Sequence, residues 1–112
     1  MSDQTQFLSL WPTAIMRDHL PSDEAINQAL TDEIMRLDNE RADFTTDYLE
    51  DNLLTSAHPA LVWLRECINH AVIRYIQHSA IDYAVDWHLQ GWANVNRFGD
   101  YHNLHNHPHA WL

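Results

Sequence analysis

The chain has 112 residues, 46% of them apolar and 20% charged, which is typical of one folded domain and too apolar for a disordered segment. Its 16 acidic residues outnumber six arginines, lysine is absent, and a formal net charge of -10 would repel nucleic acid and anionic membranes. No apolar run approaches the ~18 residues that cross a membrane, and the polar N-terminus lacks the features of a secretory signal. We therefore expect a cytoplasmic protein with no nucleic-acid or membrane partner.

Two helices are predicted in the first two thirds of the chain. The first begins at Pro21-Ser22-Asp23-Glu24, where Ser22 can cap it. The second begins at His58, with Pro59 in its first turn, and ends near Ser79. Both carry apolar residues spaced three or four apart, which is the pattern of a helix with one buried face. These residues are Ile26, Leu30, Ile34 and Leu37 in the first helix, and Leu61, Leu64, Ile68, Val72 and Tyr75 in the second.

Short strands are predicted on either side of the helices. Residues 7–16 are apolar and aromatic, with Pro12 at a bend. From Tyr83 onward apolar and polar residues alternate up to Asn96, with a bulge predicted at Gly91. Gly99-Asp100 predicts a turn, and residues 102–109 would form the next strand or its approach. The predicted class is α+β, with the helices packed on one side of an antiparallel sheet.

Four histidines lie within residues 102–109. His105 and His107 are two apart, so on a strand both side chains would point to the same face and reach one metal ion. Neutral imidazole is a good ligand for Fe, Zn, Cu and Ni. We therefore predict His105 and His107 as metal ligands. His102 would fall on the opposite face and His109 lies a step farther along, so both rank lower.

The same run has a simpler interpretation. A histidine-rich tail can bind metal loosely without serving any function. The rest of the sequence shows neither a nucleophile turn nor a glycine-rich phosphate loop, since it holds only two glycines. Asp100 is interpreted as a turn residue, with orientation of a ligating imidazole as its alternative role.

The sequence around the histidines resembles two known families of metal-binding proteins. The spacing Gly99-x5-His105-x-His107 resembles the opening of the first cupin motif, although the glutamate expected next would fall at Trp111 or Leu112 and is missing. A longer match resembles a family of 2-oxoglutarate- and Fe(II)-dependent oxygenases. It consists of Trp92-Ala93-Asn94-Val95-Asn96, Gly99-Asp100-Tyr101, His105-Asn106-His107-Pro108 and the early Leu10-Trp11-Pro12-Thr13.

The oxygenase resemblance implies a double-stranded β-helix, or jelly roll, with the two helices packed against its first antiparallel strands. It implies Fe(II) chelated by the co-substrate 2-oxoglutarate, and hydroxylation of a small-molecule or peptide substrate. His105 is the ligand carried over, while His107 stands where related oxygenases often have aspartate. The family's distal histidine and its basic 2-oxoglutarate-binding residue are absent, and Arg97 has no reason to take that role. Residues 1–112 would thus be a single domain or the N-terminal half of one, or would share strands with another chain in a homo-oligomer.

Three hypotheses follow for the function. The first is the metal-binding part of a 2-oxoglutarate- and Fe(II)-dependent oxygenase. The second is a cupin-type metalloprotein that does not use 2-oxoglutarate. The third is a non-catalytic truncated or assembly protein, which would bind metal adventitiously or not at all.

Overall fold

The computed structural model describes residues 5–7, 13–42 and 52–108. Along these ranges the chain forms α1 (Glu24–Glu40), a 3₁₀ helix (Leu53–Thr55) and α2 (Pro59–His78). α2 packs against both other elements. The small apolar core lies where they meet, and its buried members are Leu54, Ala60, Leu61 and Val72.

Both predicted helices are confirmed, and their N-termini show how the sequence sets them. The backbone N–H of Ile26 donates to the Asp23 carboxylate at 2.8 Å, so Asp23 caps α1 and the prediction of Ser22 as the cap is wrong. His58 caps α2, because its Nδ1 accepts from the backbone N–H of Ala60 at 3.2 Å. Each cap satisfies one of the backbone donors that the first turn of a helix leaves without a partner.

The predicted α+β fold is wrong for the part of the chain that the structure describes. Two α-helices and one 3₁₀ helix occur there, but no β-strand, and hence neither an antiparallel sheet nor a jelly roll. The alternation in residues 83–96 reflects only which side chains favour burial. A strand also needs a neighbouring backbone with which to form a ladder of hydrogen bonds, and an isolated pair of strands is marginally stable in water. Half of the strand predicted over residues 7–16 lies outside the described residues, and residues 7 and 13–16 do not form a strand.

Residues 83–97 are instead held against the helical part by an asparagine side chain. The Asn52 amide donates to the carbonyl of Leu89 at 2.7 Å, and its Oδ1 accepts from the N–H of Gly91 at 3.0 Å. The N–H of Leu53 donates to the Gly91 carbonyl at 2.8 Å. A Cβ on Gly91 would lie 2.8 Å from two carbons of Leu54, so a side chain there would displace a core residue. Gly91 therefore permits a close approach to Leu54 and does not form the bulge that the sequence predicts.

One charged side chain is buried in the described part of the chain. Glu33 of α1 is 7% exposed, and Arg36 donates to both of its carboxylate oxygens, at 2.7 and 2.9 Å. His58, the cap of α2, places its Nε2 3.8 Å from the same carboxylate. The hydrogen bonds from Arg36 lower the pKa of Glu33, although burial opposes this shift. Glu33 is therefore kept ionised between the two helices.

We expect Glu33→Gln to lower the free energy of unfolding by about 1–2 kcal/mol at pH 7, because it removes the charge-assisted, bidentate hydrogen bonds with Arg36. The folded pKa lies below the ordinary value of 4.5, so this stabilisation is complete above that value and is lost as the pH falls through the lowered pKa. Urea unfolding at a series of pH values should show the two proteins converging in acid. Glu40→Gln is the matched control, because Glu40 pairs with the same arginine but is 59% exposed, and we expect less than about 0.5 kcal/mol from it. A gap that persists in acid would contradict the electrostatic explanation.

Candidate metal centre

The segment leading to the histidines is fixed to both helices. The indole N–H of Trp87 donates to the Asn69 side chain of α2 at 3.0 Å. Arg97 pairs with Asp38 of α1, whose side chain is only 10% exposed, and this hydrogen bond raises the pKa of Arg97. Together with the Asn52 contacts, these interactions hold residues 87–97 in place. They also account for Arg97, for which the sequence offered no role.

A tight turn then reverses the chain, as predicted from Gly99-Asp100. The N–H of Asp100 donates to the carbonyl of Arg97 at 2.9 Å, and the N–H of Arg97 donates to the Asp100 carboxylate at 2.7 Å. Gly99, the third residue of the turn, has a φ of +90°, the conformation that a type II turn requires and that glycine adopts without strain. Asp100 thus acts as the turn residue that the sequence suggested.

The two sides of the turn contact each other through side chains. His102 Nε2 donates to the Asn96 side-chain oxygen at 3.2 Å. Farther from the turn, the rings of Trp92 and His107 lie 5.4 Å apart between centroids. Trp92 and Asn96 belong to one segment of the oxygenase-like sequence and His107 to another. The structure therefore brings these two segments together without forming a backbone ladder between them.

His105 and His107, the two predicted metal ligands, lie side by side. Their ring centroids are 5.1 Å apart and the ring planes meet at 74°. Both side chains are exposed. The prediction that they share a face rested on a strand, which is wrong here, but the two rings are nonetheless neighbours. An exposed pair at this separation is accessible to a metal ion from solvent.

The hydrogen bond of His105 determines which ring nitrogen can bind metal. Its Nδ1 lies 2.7 Å from the backbone carbonyl oxygen of Asn103. A carbonyl can only accept, so Nδ1 carries the proton and, in the neutral ring, Nε2 keeps a free lone pair. Ligating histidines commonly donate their second N–H to a carbonyl in this way, which fixes the ring orientation and makes the ligand more basic. The donor set therefore suits a first-row transition metal. Of the two candidate ligands, His105 is the one whose ring orientation and free nitrogen are already set by a hydrogen bond.

The described residues supply two ligands of such a centre. Among them no group of three histidine, cysteine, aspartate or glutamate side chains is placed to hold a metal ion. The His102 ring is hydrogen-bonded to the Asn96 side chain. His109 lies outside the described residues. A complete coordination shell would need donors from water, a co-substrate or protein groups outside residues 5–7, 13–42 and 52–108.

Some residues that position this site could not be found from the sequence. Asn52 lies 39 residues from Gly91, and Asp38 lies 59 residues from Arg97. Neither Asn52 nor Asp38 belongs to a motif, and in the sequence nothing distinguishes them from other polar residues. Their roles depend on how α1 and the 3₁₀ helix lie against residues 87–97.

The chain matches no protein-family model, no curated protein and no solved structure. In the described residues, no helix is long and apolar enough to cross a bilayer.

Proposed function

We propose that this chain provides the iron-binding segment of a 2-oxoglutarate- and Fe(II)-dependent oxygenase, with His105 and His107 as two of the metal ligands. The observation that carries the proposal is the paired arrangement of these rings, with His105 donating from Nδ1 and its Nε2 left for metal. The resemblance of residues 92–108 to such oxygenases selects iron and 2-oxoglutarate from the ions and co-substrates that a histidine pair would accept. The proposal does not require the jelly roll, and we place the activity in the cytoplasm.

Fe(II) with bound 2-oxoglutarate would supply the oxygen chemistry that hydroxylates a substrate carbon. The chain's own contribution is to present two neutral imidazoles, which leave the charge of the cation uncompensated and so favour a carboxylate co-substrate beside it. The net charge of -10 favours accumulation of cations near the protein. Trp92, against His107, limits the directions from which a ligand can approach that ring.

Anaerobic titration of the purified chain with Fe(II) and 2-oxoglutarate tests this proposal. We expect Fe(II) to raise the melting temperature, because a ligand that binds only the folded state stabilises it by mass action. We expect a visible charge-transfer band only when both Fe(II) and 2-oxoglutarate are present. Stabilisation by Fe(II) with no band would contradict the co-substrate and favour a cupin-type metalloprotein. Neither stabilisation nor band would contradict the metal site and favour a non-catalytic protein.

The exposure of both rings gives the non-catalytic hypothesis one observation in its favour. Catalytic metal sites usually lie in clefts that bury most of a bound ligand, whereas His105 and His107 are open to solvent in this structure. A loosely held ion would exchange readily, and such a site would bind several first-row metals with similar affinity. Zn(II) generally binds imidazole sites more tightly than Fe(II), so displacement of Fe(II) by Zn(II) is expected under both hypotheses. The charge-transfer band that requires both Fe(II) and 2-oxoglutarate is the result that separates them.

A further inference from the structure

A cavity that shares no residue with the histidine pair lies where residues 14–17 cross the end of α2. Its volume is about 360 Å³, and its walls are residues 14–17 on one side and Arg74, Tyr75 and His78 on the other. This size is at the lower end of the range for small-molecule sites. A ligand of a few carbon atoms would fit.

Two contacts hold the walls of the cavity together. The Tyr75 hydroxyl donates to the backbone carbonyl of Ala14 at 2.9 Å. Arg74 forms an ion pair with Asp18, with Nη1 2.7 Å from the carboxylate oxygen. These contacts join positions about sixty residues apart in the chain. The cavity is therefore formed before any ligand arrives, which reduces the cost of ordering it on binding.

The charge around this cavity is opposite to that of the whole protein. Two of the six arginines, Arg17 and Arg74, line it together with His78, in a chain of net charge -10. Asp18 offsets the charge of Arg74, and the hydrogen bond that Arg74 donates to this carboxylate is the main reason why the pKa of Asp18 is lowered. Within the part of the chain that the structure describes, Arg17 has no hydrogen bond or ion pair from its side chain. One guanidinium is thus left to pair with an anion from solution.

The C-terminal end of α2 works against an anion, since its unpaired carbonyls carry partial negative charge. Here two of these carbonyls already accept hydrogen bonds. The N–H and the hydroxyl of Ser79 both donate to the carbonyl of Tyr75, at 3.0 and 2.9 Å. The N–H of Ala80 donates to the carbonyl of Gln77 at 3.3 Å. The opposing field is therefore weakened, and the positive charge of Arg17, which no carboxylate among the described residues offsets, dominates at the cavity.

We propose that this cavity binds a small organic anion through its carboxylate or phosphate oxygens, with Arg17 as the main pairing residue and Arg74 as a second donor. A guanidinium presents paired N–H groups that match the oxygens of either head group. Ile15 and Met16, which are 88% and 37% exposed, would cover the carbon part of the ligand. Burial of these side chains would then accompany binding.

Calorimetric titration of the metal-free chain with inorganic phosphate and, separately, with succinate tests this inference. We expect one of the two to bind at a single site with a dissociation constant of about 1 mM or lower, and the tighter one identifies the head group. Arg17→Gln should weaken that binding at least about tenfold, since it removes a charge-assisted hydrogen-bond donor. Arg41→Gln makes the same change in net charge outside the cavity and should leave the constant within about twofold.

Two results would overturn the inference. One is the absence of saturable binding of either anion to the unsubstituted chain at anion concentrations up to about ten times the expected dissociation constant. The other is equal weakening by Arg17→Gln and Arg41→Gln, which would indicate a general charge effect. Circular dichroism of each variant confirms that the helices are intact. Because no metal is present, the outcome is independent of whether His105 and His107 bind iron.

Discussion

Replacement of His105 with alanine is expected to lower the affinity of the chain for Zn(II) or Fe(II) by about a hundredfold or more. Loss of a group that only orients a metal ligand typically costs 10–100-fold, and loss of the ligand itself should cost at least as much. His105 is the ring whose Nδ1 donates to the Asn103 carbonyl, so its Nε2 is already prepared for metal. Competition against a metal-responsive dye under anaerobic conditions measures the constant directly.

The companion variant His107→Ala decides whether the second ring is also a ligand. If both rings hold the ion, the two variants lose affinity to a similar degree. If His107 only lines the site beside Trp92, its loss has a smaller effect than that of His105. His70→Ala removes an exposed imidazole from α2 and is the matched control. Equal losses for the His70 and His105 variants would contradict a specific site.

Leu61→Ala is expected to cause the largest loss of stability, about 3–4 kcal/mol, through lost burial and the cavity left behind. Leu61 is fully buried, and it is the largest such side chain among the described residues. Domains of this size are stabilised by about 5–15 kcal/mol in total. The variant should therefore unfold at much lower urea concentration, as followed by the helical circular dichroism signal.

Ile73→Ala is the matched control for Leu61→Ala. Ile73 lies on the same helix but is 40% exposed, so we expect a loss of about 1 kcal/mol or less. The dependence of unfolding free energy on urea should have the same slope in both variants, because the surface exposed on unfolding hardly changes. Similar losses from the two substitutions would mean that α2 does not bury the face that contains Leu61.

The sequence predicted the local features of this fold well. A proline after a capping residue defines the start of α2, and an apolar stripe identifies the residues that face inward. The Gly99-Asp100 turn is also a local property, because it depends on the freedom of one glycine and one carboxylate. Each of these features is determined by residues within a few positions of one another.

The predicted strands are absent from the described residues, because alternation specifies a face and does not specify a partner. Residues 83–97 alternate as a strand would, yet their backbone is held by the side chain of Asn52 and by Leu53 rather than by a neighbouring strand. The contact between Leu54 and Gly91 likewise depends on two segments that are far apart in sequence. Such contacts are fixed by tertiary packing, which local patterns do not record.

The candidate site was predicted in part. The identity of His105 and His107 followed from their spacing, and the structure places their rings next to each other although neither residue lies on a strand. The carbonyl of Asn103, which sets the protonated nitrogen of His105, had no signal in the sequence. The ion pair by which Asp38 anchors Arg97 also had no signal in the sequence, because α1 and Arg97 come into contact only in the folded chain.

Long-range proton–nitrogen NMR of the histidine rings during titration with Zn(II), a diamagnetic stand-in for iron, is the most direct test of the paired metal site. We predict that the Nε2 signal of His105 and one ring-nitrogen signal of His107 shift together and saturate at one equivalent, that Nδ1 of His105 keeps its proton, and that His102 does not respond. A response limited to one of the two rings, or a gradual shift of all histidines that never saturates, would contradict the shared site.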